Sequence, residues 1–508
     1  MILKLKNRVL LSNHTFPMSK TLLEDLEVYG FLLRYFDKPE EFLTCETEVI
    51  CERNEICAAL MKNESLTAAM QQLYDISAVL VQDVPSNEVE PIPIIRRMYS
   101  IKLFYSAAKK FIKTIEESHN IPNIFYEISE LLSELLESSY PADFDRIWAN
   151  YAKGVEKAHS ISFQINFTES LEISSIAMTG VYKKKYTKKS FFNRISGASD
   201  SMCVDSLLTL VPGYHSEMSK LIDPSKETTQ IQRFSVAVQK ILFDQTAVVK
   251  GQLQTMERVI ARKIRILTDA LCFALGMVKC AQSLSLLSPH ICFAQIRSME
   301  ERTLHVSKMI HPLLAEQVDV TPNNIAIDNQ RDIILLGGIN RGGKTTYLRT
   351  VGAVQVLFQM GLPIPAATAS ISPASGIFSV FSRVEITELN QGKLGRELVE
   401  LRDAITMIDE NSLFLGNEPI SGTSPKEGYL LSRESLCILK AKCVRGIWVT
   451  HLFKLFDDAD ELNAMSFGSK FGCMHTEPTD IKCNYTILPG KPDKHSGAKE
   501  AFNSAAAK

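Results

Sequence analysis

The sequence predicts an α/β fold for the C-terminal half, behind a mostly α-helical N-terminal half that carries a small β insertion. Three observations carry this expectation. From about His290 onward, short apolar runs alternate with helical stretches, the pattern of a sheet fed by crossover connections. Strict alternation of apolar and polar residues begins near residue 161 and is brief. Through most of the remaining N-terminal half, apolar residues recur at three and four spacing, the period of a helix with one buried face.

The elements follow in order. Residues 1–158 read as a helical core region: Ile124, Ile128, Leu131, Leu132, Leu135 and Leu136 share a helical stripe, and Pro91, Pro93, Pro122 and Pro141 punctuate it. Residues 159–200 read as a small β element. Ile161, Phe163, Ile165 and Phe167 alternate there with Ser162, Gln164 and Asn166, and the style continues to Tyr182. Residues 201–288 read as a long helical arm, interrupted after Pro224 only by Gly251 and Gly276. Residues 289–508 read as the α/β domain, with buried strands expected at 333–336, 413–415 and 447–449.

Bulk numbers narrow the classes. At 508 residues and 45% apolar composition, the chain is long enough for two or more cores. Lys plus Arg (56) nearly balances Asp plus Glu (58), so no overall field draws the molecule onto nucleic acid or a membrane. No apolar run reaches the length of a bilayer span, and charges are scattered through the opening MILKLKNRVLLSNHTF, where a secretory signal carries an unbroken apolar block. The expectation is a cytoplasmic protein without a membrane partner. The 11 cysteines include the evenly spaced Cys45, Cys51 and Cys57 but form no CxxC pairs, which favours reduced thiols over a zinc site.

The chemistry lies in the C-terminal half. The run DIILLGGINRGGKTTYLRTVGAVQVLFQM is an apolar strand, a glycine-rich turn and an amphipathic helix closed by Gly361 and Pro363. That order matches the P-loop pattern in its required context. Backbone N–H groups of Gly338, Ile339, Asn340, Arg341, Gly342 and Gly343 can converge on phosphate at a helix N-terminus, with Lys344, Thr345 and Thr346 opening the helix. In such a site Lys344 holds the β- and γ-phosphates of ATP, and the Thr345 hydroxyl ligates Mg2+. Roughly seventy residues downstream, the strand 413–415 delivers Asn417 and Glu418 to the sheet edge where open α/β folds bind ligands. Glu418 is placed to orient or deprotonate a water. The strand in GIWVTH ends in Thr450 and His451 at the same edge.

These residues resemble the ATPase domain of the MutS family. GINRGGKTTYLRTVG is similar to the family's GPNMGGKSTYMR, and GLPIPA to its G-x-x-V-P-A. Phe381-Ser-Arg383, Gly422-Thr423-Ser424 after Glu418, Thr450-His451, the HPLL segment and Pro322-Asn323-Asn324 complete the resemblance over roughly residues 290–490. It implies an ABC-like P-loop ATPase using ATP and Mg2+, with Lys344, Glu418 and His451 catalytic and Asn417 reaching the metal through water. The helical arm resembles the family's lever and clamp region. ELNQGKLGR, Glu388 to Arg396, falls where the family carries the loop that reaches a partner subunit's ATP. Gly392 and Lys393 match it, which implies a homodimer with composite sites.

Three departures bear on activity. Asn417 stands where the family carries Asp, Leu394-Gly395 replaces its Ser-Thr, and Val320 stands where an aromatic stacks on adenine. Phe125-Tyr126-Glu127 matches the family's mismatch wedge in letters, but it lies within a helical pattern and lacks the Gly-Asp lead-in. The resemblance is therefore to a short member without the mismatch-recognition domain. Double-stranded or branched DNA is the partner it implies. The local basic cluster Lys183, Lys184, Lys185, Lys188 and Lys189, interleaved with aromatics, is the candidate phosphate-backbone contact. A solvated hairpin tip is the alternative for that cluster.

Two functions stay open: an ATPase coupling nucleotide state to DNA, in mismatch repair or a related pathway, and a hydrolysis-poor, ATP-gated binding switch. A chromosome-organising motor is disfavoured, because such proteins insert a very long coiled coil between the phosphate loop and the Glu strand.

Overall fold

The computed structural model describes residues 20–82, 91–138, 246–314, 320–339, 341–382, 392–476 and 485–492. It also describes Glu169, parts of 141–149 and the two strands at 160–167 and 173–182. The chain divides into two compact units. One comprises Met1–Ala68, Asn120–Phe125 and Asp269–Lys508; the other comprises Ala69–His119 and Tyr126–Thr268.

The described elements of the N-terminal half are α1 (Lys20–Asp25), α2 (Tyr29–Leu32), α3 (Thr47–Lys62), α4 (Glu64–Gln82), α5 (Pro91–Glu117) and α6 (Asn123–Glu137). On α6 the stripe Ile124, Ile128, Leu131, Leu132 and Leu135 is buried, as its spacing requires. The Phe125-Tyr126-Glu127 tripeptide lies in this helix, with Phe125 buried. Strands β1 (Ser160–Phe167) and β2 (Ile173–Tyr182) form an antiparallel pair where the alternating pattern lies. Residues 183–190 and 201–245, which hold the lysine cluster and the start of the expected arm, lie outside the described residues.

Helix α7 (Thr246–Leu287) runs for 42 residues and passes through both Gly251 and Gly276. Its Lys263–Leu287 portion has a mean hydropathy of 1.6 and is long and apolar enough to cross a bilayer. This corrects the sequence reading, which found no such run. Most of that portion is buried inside the protein, as in the core helix of a soluble fold.

The C-terminal unit is mixed α/β. Its remaining elements are β3 (Gln295–Ile296), β4 (Leu304–Met309), β5 (Asn323–Ile327), β6 (Ile333–Gly337), α8 (Lys344–Gln359), β7 (Thr368–Ile371), β8 (Ile377–Phe381), α9 (Lys393–Met407), β9 (Leu413–Asn417), α10 (Pro425–Ala441), β10 (Arg445–Val449), α11 (Phe453–Ala464), β11 (Phe471–Thr476) and β12 (Ile487–Pro489). Six strands form one sheet in the order β12-β11-β6-β10-β9-β8, parallel except for β12. A four-stranded sheet, β3-β7-β4-β5, mixes parallel and antiparallel pairs.

The three strands expected from apolar runs sit at the centre of the larger sheet as β6, β9 and β10. They are almost continuously buried, as interior parallel strands are. Trp448 stacks on Phe414 with ring centroids 5.9 Å apart, within a core that α9, α10 and α11 share. Helix α8 is buried on nearly every side. Its two buried glutamines bond to backbone: Gln355 donates to Ser372 O at 3.1 Å, though its Oε1 has no partner among the described residues, and Gln359 donates to Thr44 O and Ala374 O at 3.0 Å each.

Residues 20–68 pack into this unit, far in sequence from their partners. Arg349 on α8 donates to Asp25 O at 2.9 Å and pairs with Glu27 at 2.7 Å. Ser379 on β8 donates to the Asp25 carboxylate at 2.7 Å. A Cβ at Gly352 would meet Leu26 and Leu415, so the helix crosses at a distance only glycine permits.

Candidate functional site

Strand register assembles the site. Leu336 on β6 and Asn417 on β9 both pair with Val449 on β10. The residues that follow these positions therefore emerge side by side at one sheet edge. They are the loop from Gly338, Glu418, and Thr450-His451.

The loop between β6 and α8 is shaped by left-handed backbone at Gly338 (φ +119°) and Gly343 (φ +85°), which glycine tolerates without penalty. Arg341 is also left-handed, at φ +64°. The buried Lys344 ammonium donates to Gly338 O at 3.0 Å and Ile339 O at 2.8 Å, drawing the loop around its own side chain. Burial lowers the Lys344 pKa, and the Glu418 charge opposes that shift. Asn340 lies outside the described residues.

Across the edge, Thr345 Oγ1 donates to Asn417 Oδ1 at 3.2 Å. His451 Nε2 lies 2.6 Å from Glu418 Oε1. The bond to His451 is the largest cause holding the Glu418 carboxyl below the usual glutamate range; the positive charges of His451, Lys344 and Lys393 add to it, against partial burial. Glu418 takes φ +50°, a left-handed conformation uncommon for a non-glycine residue, and its N–H is held by Val449 O at 3.1 Å. Of the anticipated side chains, Lys344, Thr345, Asn417, Glu418 and His451 thus converge. Thr346 is exposed beside them, and Gly392 begins α9 with open space around it. Glu388 to Gln391 and Arg383 lie outside the described residues.

A cavity of about 480 Å³ opens here. Gly342, Gly343, Lys344, Thr345 and Glu418 line one part of it, and His311, Val320 and Tyr485 another. His311, from the HPLL segment, donates through Nε2 to Leu26 O at 2.9 Å, and its Nδ1 accepts from Leu313 N at 3.3 Å. Both bonds suit the neutral ring, and burial lowers its pKa. Asn323 donates to Tyr485 O at 2.9 Å and accepts from Ile487 N at 2.8 Å, tying its segment to the start of β12 and the residues just before it.

Three contributors were not legible in the sequence. Thr476, at the end of β11, accepts from Ile339 N at 3.1 Å and packs against Gly338 and Gly342. Tyr485 lies against Gly343. Glu397, on α9, accepts hydrogen bonds from the segment after Glu418. The pairing of β11 with β6 places Thr476 beside the loop, and no local pattern announces it.

Residues 334–506 match MutS domain V. The Endonuclease MutS2 of Thermus thermophilus is 29% identical over 223 residues, covering 44% of this chain and 28% of that protein. The DNA mismatch repair protein MutS of a Synechococcus species is 30% identical over 220 residues, covering 42% and 23%. The DNA mismatch repair protein MutS of Staphylococcus aureus is 21% identical over 455 residues, covering 84% and 50%. The chain therefore spans half or less of the length of these curated relatives. The domain V match and an alignment to a MutS protein that extends over most of this chain support a MutS family member.

Proposed function

We propose that this protein is a P-loop ATPase of the ABC-like type that binds ATP with Mg2+ and couples nucleotide state to DNA in repair. One observation carries the reading: the register of β6, β9 and β10 brings Lys344, Thr345, Glu418 and His451 to the lining of one cavity, with Asn417 bonded to Thr345. The fit to a nucleotide rests on the same edge. Two left-handed glycines turn the loop at the N-terminus of a 16-residue helix, whose dipole favours anions.

Residues Gly338 to Thr346 would hold the phosphates, and Thr345 with Asn417, through water, would hold the metal. When bound, ATP supplies the phosphoanhydride bond, and the metal neutralises charge on its oxygens. The chain's own residues do the rest. Lys344 presents a positive charge at the loop. Glu418 is ionised and fixed by His451, which suits it to orient a water by accepting its hydrogen bond. Names of the relatives, DNA mismatch repair protein and endonuclease, support a DNA-repair role. Gly392 at the start of α9 supports a homodimer in which that residue reaches a partner's nucleotide. The five lysines from Lys183 to Lys189 are proposed for duplex or branched DNA, and the cytoplasm is the proposed location.

A second reading, an ATP-gated switch that scarcely turns over, is favoured by Asn417: a neutral amide, already bonded to Thr345, stands at the metal position. Magnesium-dependent phosphate release separates the two, measured with and without duplex and branched DNA beside Lys344→Ala and Glu418→Gln. Turnover stimulated by DNA and abolished by both substitutions supports the ATPase. ATP binding without phosphate release under any condition leaves the switch.

A further inference from the structure

We infer that Glu397 is a positioning residue for hydrolysis, holding the loop that carries Glu418 against the first turns of α9. The inference rests on the ATPase reading above. Glu397 lies on α9 and is only 7% exposed. One carboxylate oxygen accepts from two successive backbone N–H groups, Ser421 N and Gly422 N, at 2.9 Å each. The other accepts from Ser421 Oγ at 2.7 Å and from Ser382 Oγ, at the end of β8, at 3.4 Å. Lys393 Nζ, one helical turn earlier, lies 3.9 Å away.

A buried carboxylate is costly unless charge-assisted bonds offset its desolvation, and here the donors come chiefly from one short segment. That segment begins three residues after Glu418. Glu418 holds a left-handed backbone conformation, which persists only where its surroundings over-determine it. On the strand side its own N–H is fixed by Val449 O. On the loop side, Glu397 supplies the corresponding restraint on Ser421 and Gly422. The contact is also close in space: a Cβ at Gly422 would meet Leu394 N at 2.8 Å and Lys393 Cγ at 3.0 Å. Lys393 in turn lowers the Glu418 pKa through its charge. The start of α9, where Gly392 and Lys393 lie, and the Glu418 carboxylate are therefore linked through one side chain that does not line the cavity.

The test compares Glu397→Ala and Glu397→Gln with the wild type. Steady-state phosphate release, calorimetric MgATP binding, thermal midpoint, and deuterium exchange over residues 418–423 are measured for each. Positioning requires kcat to fall on the order of a hundredfold in Glu397→Ala, with MgATP affinity and KM within about threefold. Exchange should quicken at 418–423 while β9 keeps its protection. Glu397→Gln keeps an oxygen for both N–H groups and should return kcat to within about tenfold of wild type. Unchanged kcat and exchange in Glu397→Ala would overturn the inference. So would a parallel loss of midpoint, affinity and turnover in both variants, the mark of a merely structural residue. A wild type that binds MgATP but never hydrolyses it defeats the ATPase reading instead. Exchange at 418–423 then decides the Glu397 restraint alone, and no change there defeats it.

Discussion

Thr345 Oγ1 and Asn417 Oδ1 are joined by a 3.2 Å hydrogen bond that links the first turn of α8 to the end of β9. An aspartate at 417 would place a negative charge at this junction, where a divalent cation profits from it. Asn417→Asp should lower the magnesium concentration for half-maximal phosphate release about tenfold, close to 1.4 kcal/mol, and raise turnover. A magnesium titration of both proteins checks this; equal half-saturation would separate Asn417 from the metal.

Glu418→Gln should reduce turnover by about 10²- to 10⁴-fold while leaving MgATP binding within a fewfold of wild type. The folded Glu418 carboxyl lies below its ordinary value of 4.5, chiefly through its bond to His451. It therefore stays ionised as pH falls to that value, and the acid limb of its contribution lies lower still. His451→Ala should move that limb upward, read from kcat against pH between 4 and 8.

The Lys344 ammonium is buried and committed to two loop carbonyls, so its loss removes both the loop's internal tether and its positive charge. Lys344→Ala should weaken ATP binding roughly 10- to 100-fold, the worth of one charge-assisted contact. Calorimetry measures it directly.

His311 supplies a pH dependence with a definite sign. Burial lowers its folded pKa below 6.5, so the unfolded chain binds the proton more readily. Its stabilising contribution is complete above pH 6.5 and is lost as pH falls from 6.5 through the lowered folded value. His311→Gln should flatten the acid side of the stability curve in that window, seen as thermal midpoint against pH.

Trp448 is 1% exposed and stacked on Phe414 beneath three helices. Trp448→Ala should cost about 3–5 kcal/mol, measured by denaturant unfolding.

Much of this architecture was legible in the chain, for a physical reason. Parallel interior strands must be apolar throughout, so β6, β9 and β10 show themselves as short runs. Tight phosphate-type turns need left-handed glycine, so Gly338 and Gly343 stand out in a motif. The stripe on α6 marked its buried face and placed Phe125-Tyr126-Glu127 on a helix. What stayed hidden depends on contacts distant in sequence. Thr476 reaches the loop only because β11 pairs with β6, and Glu397 meets Ser421 across 24 residues. Local periodicity is equally silent about which core covers an apolar helix, and the Lys263–Leu287 portion of α7 shows how bilayer-like such a helix looks before its neighbours are known.

The docking of residues 20–68 onto α8 and β8 also sets a schedule for biogenesis. Leu22, Leu23 and Leu26 are buried in the finished protein, yet Asp25 waits 354 residues for its Ser379 partner. At about 5–20 residues per second of synthesis, that wait is roughly 20–70 s, far longer than the microseconds of hydrophobic collapse. These three leucines are therefore made long before the last third of the chain emerges to cover them, and a fragment starting at residue 289 would leave their docking face bare.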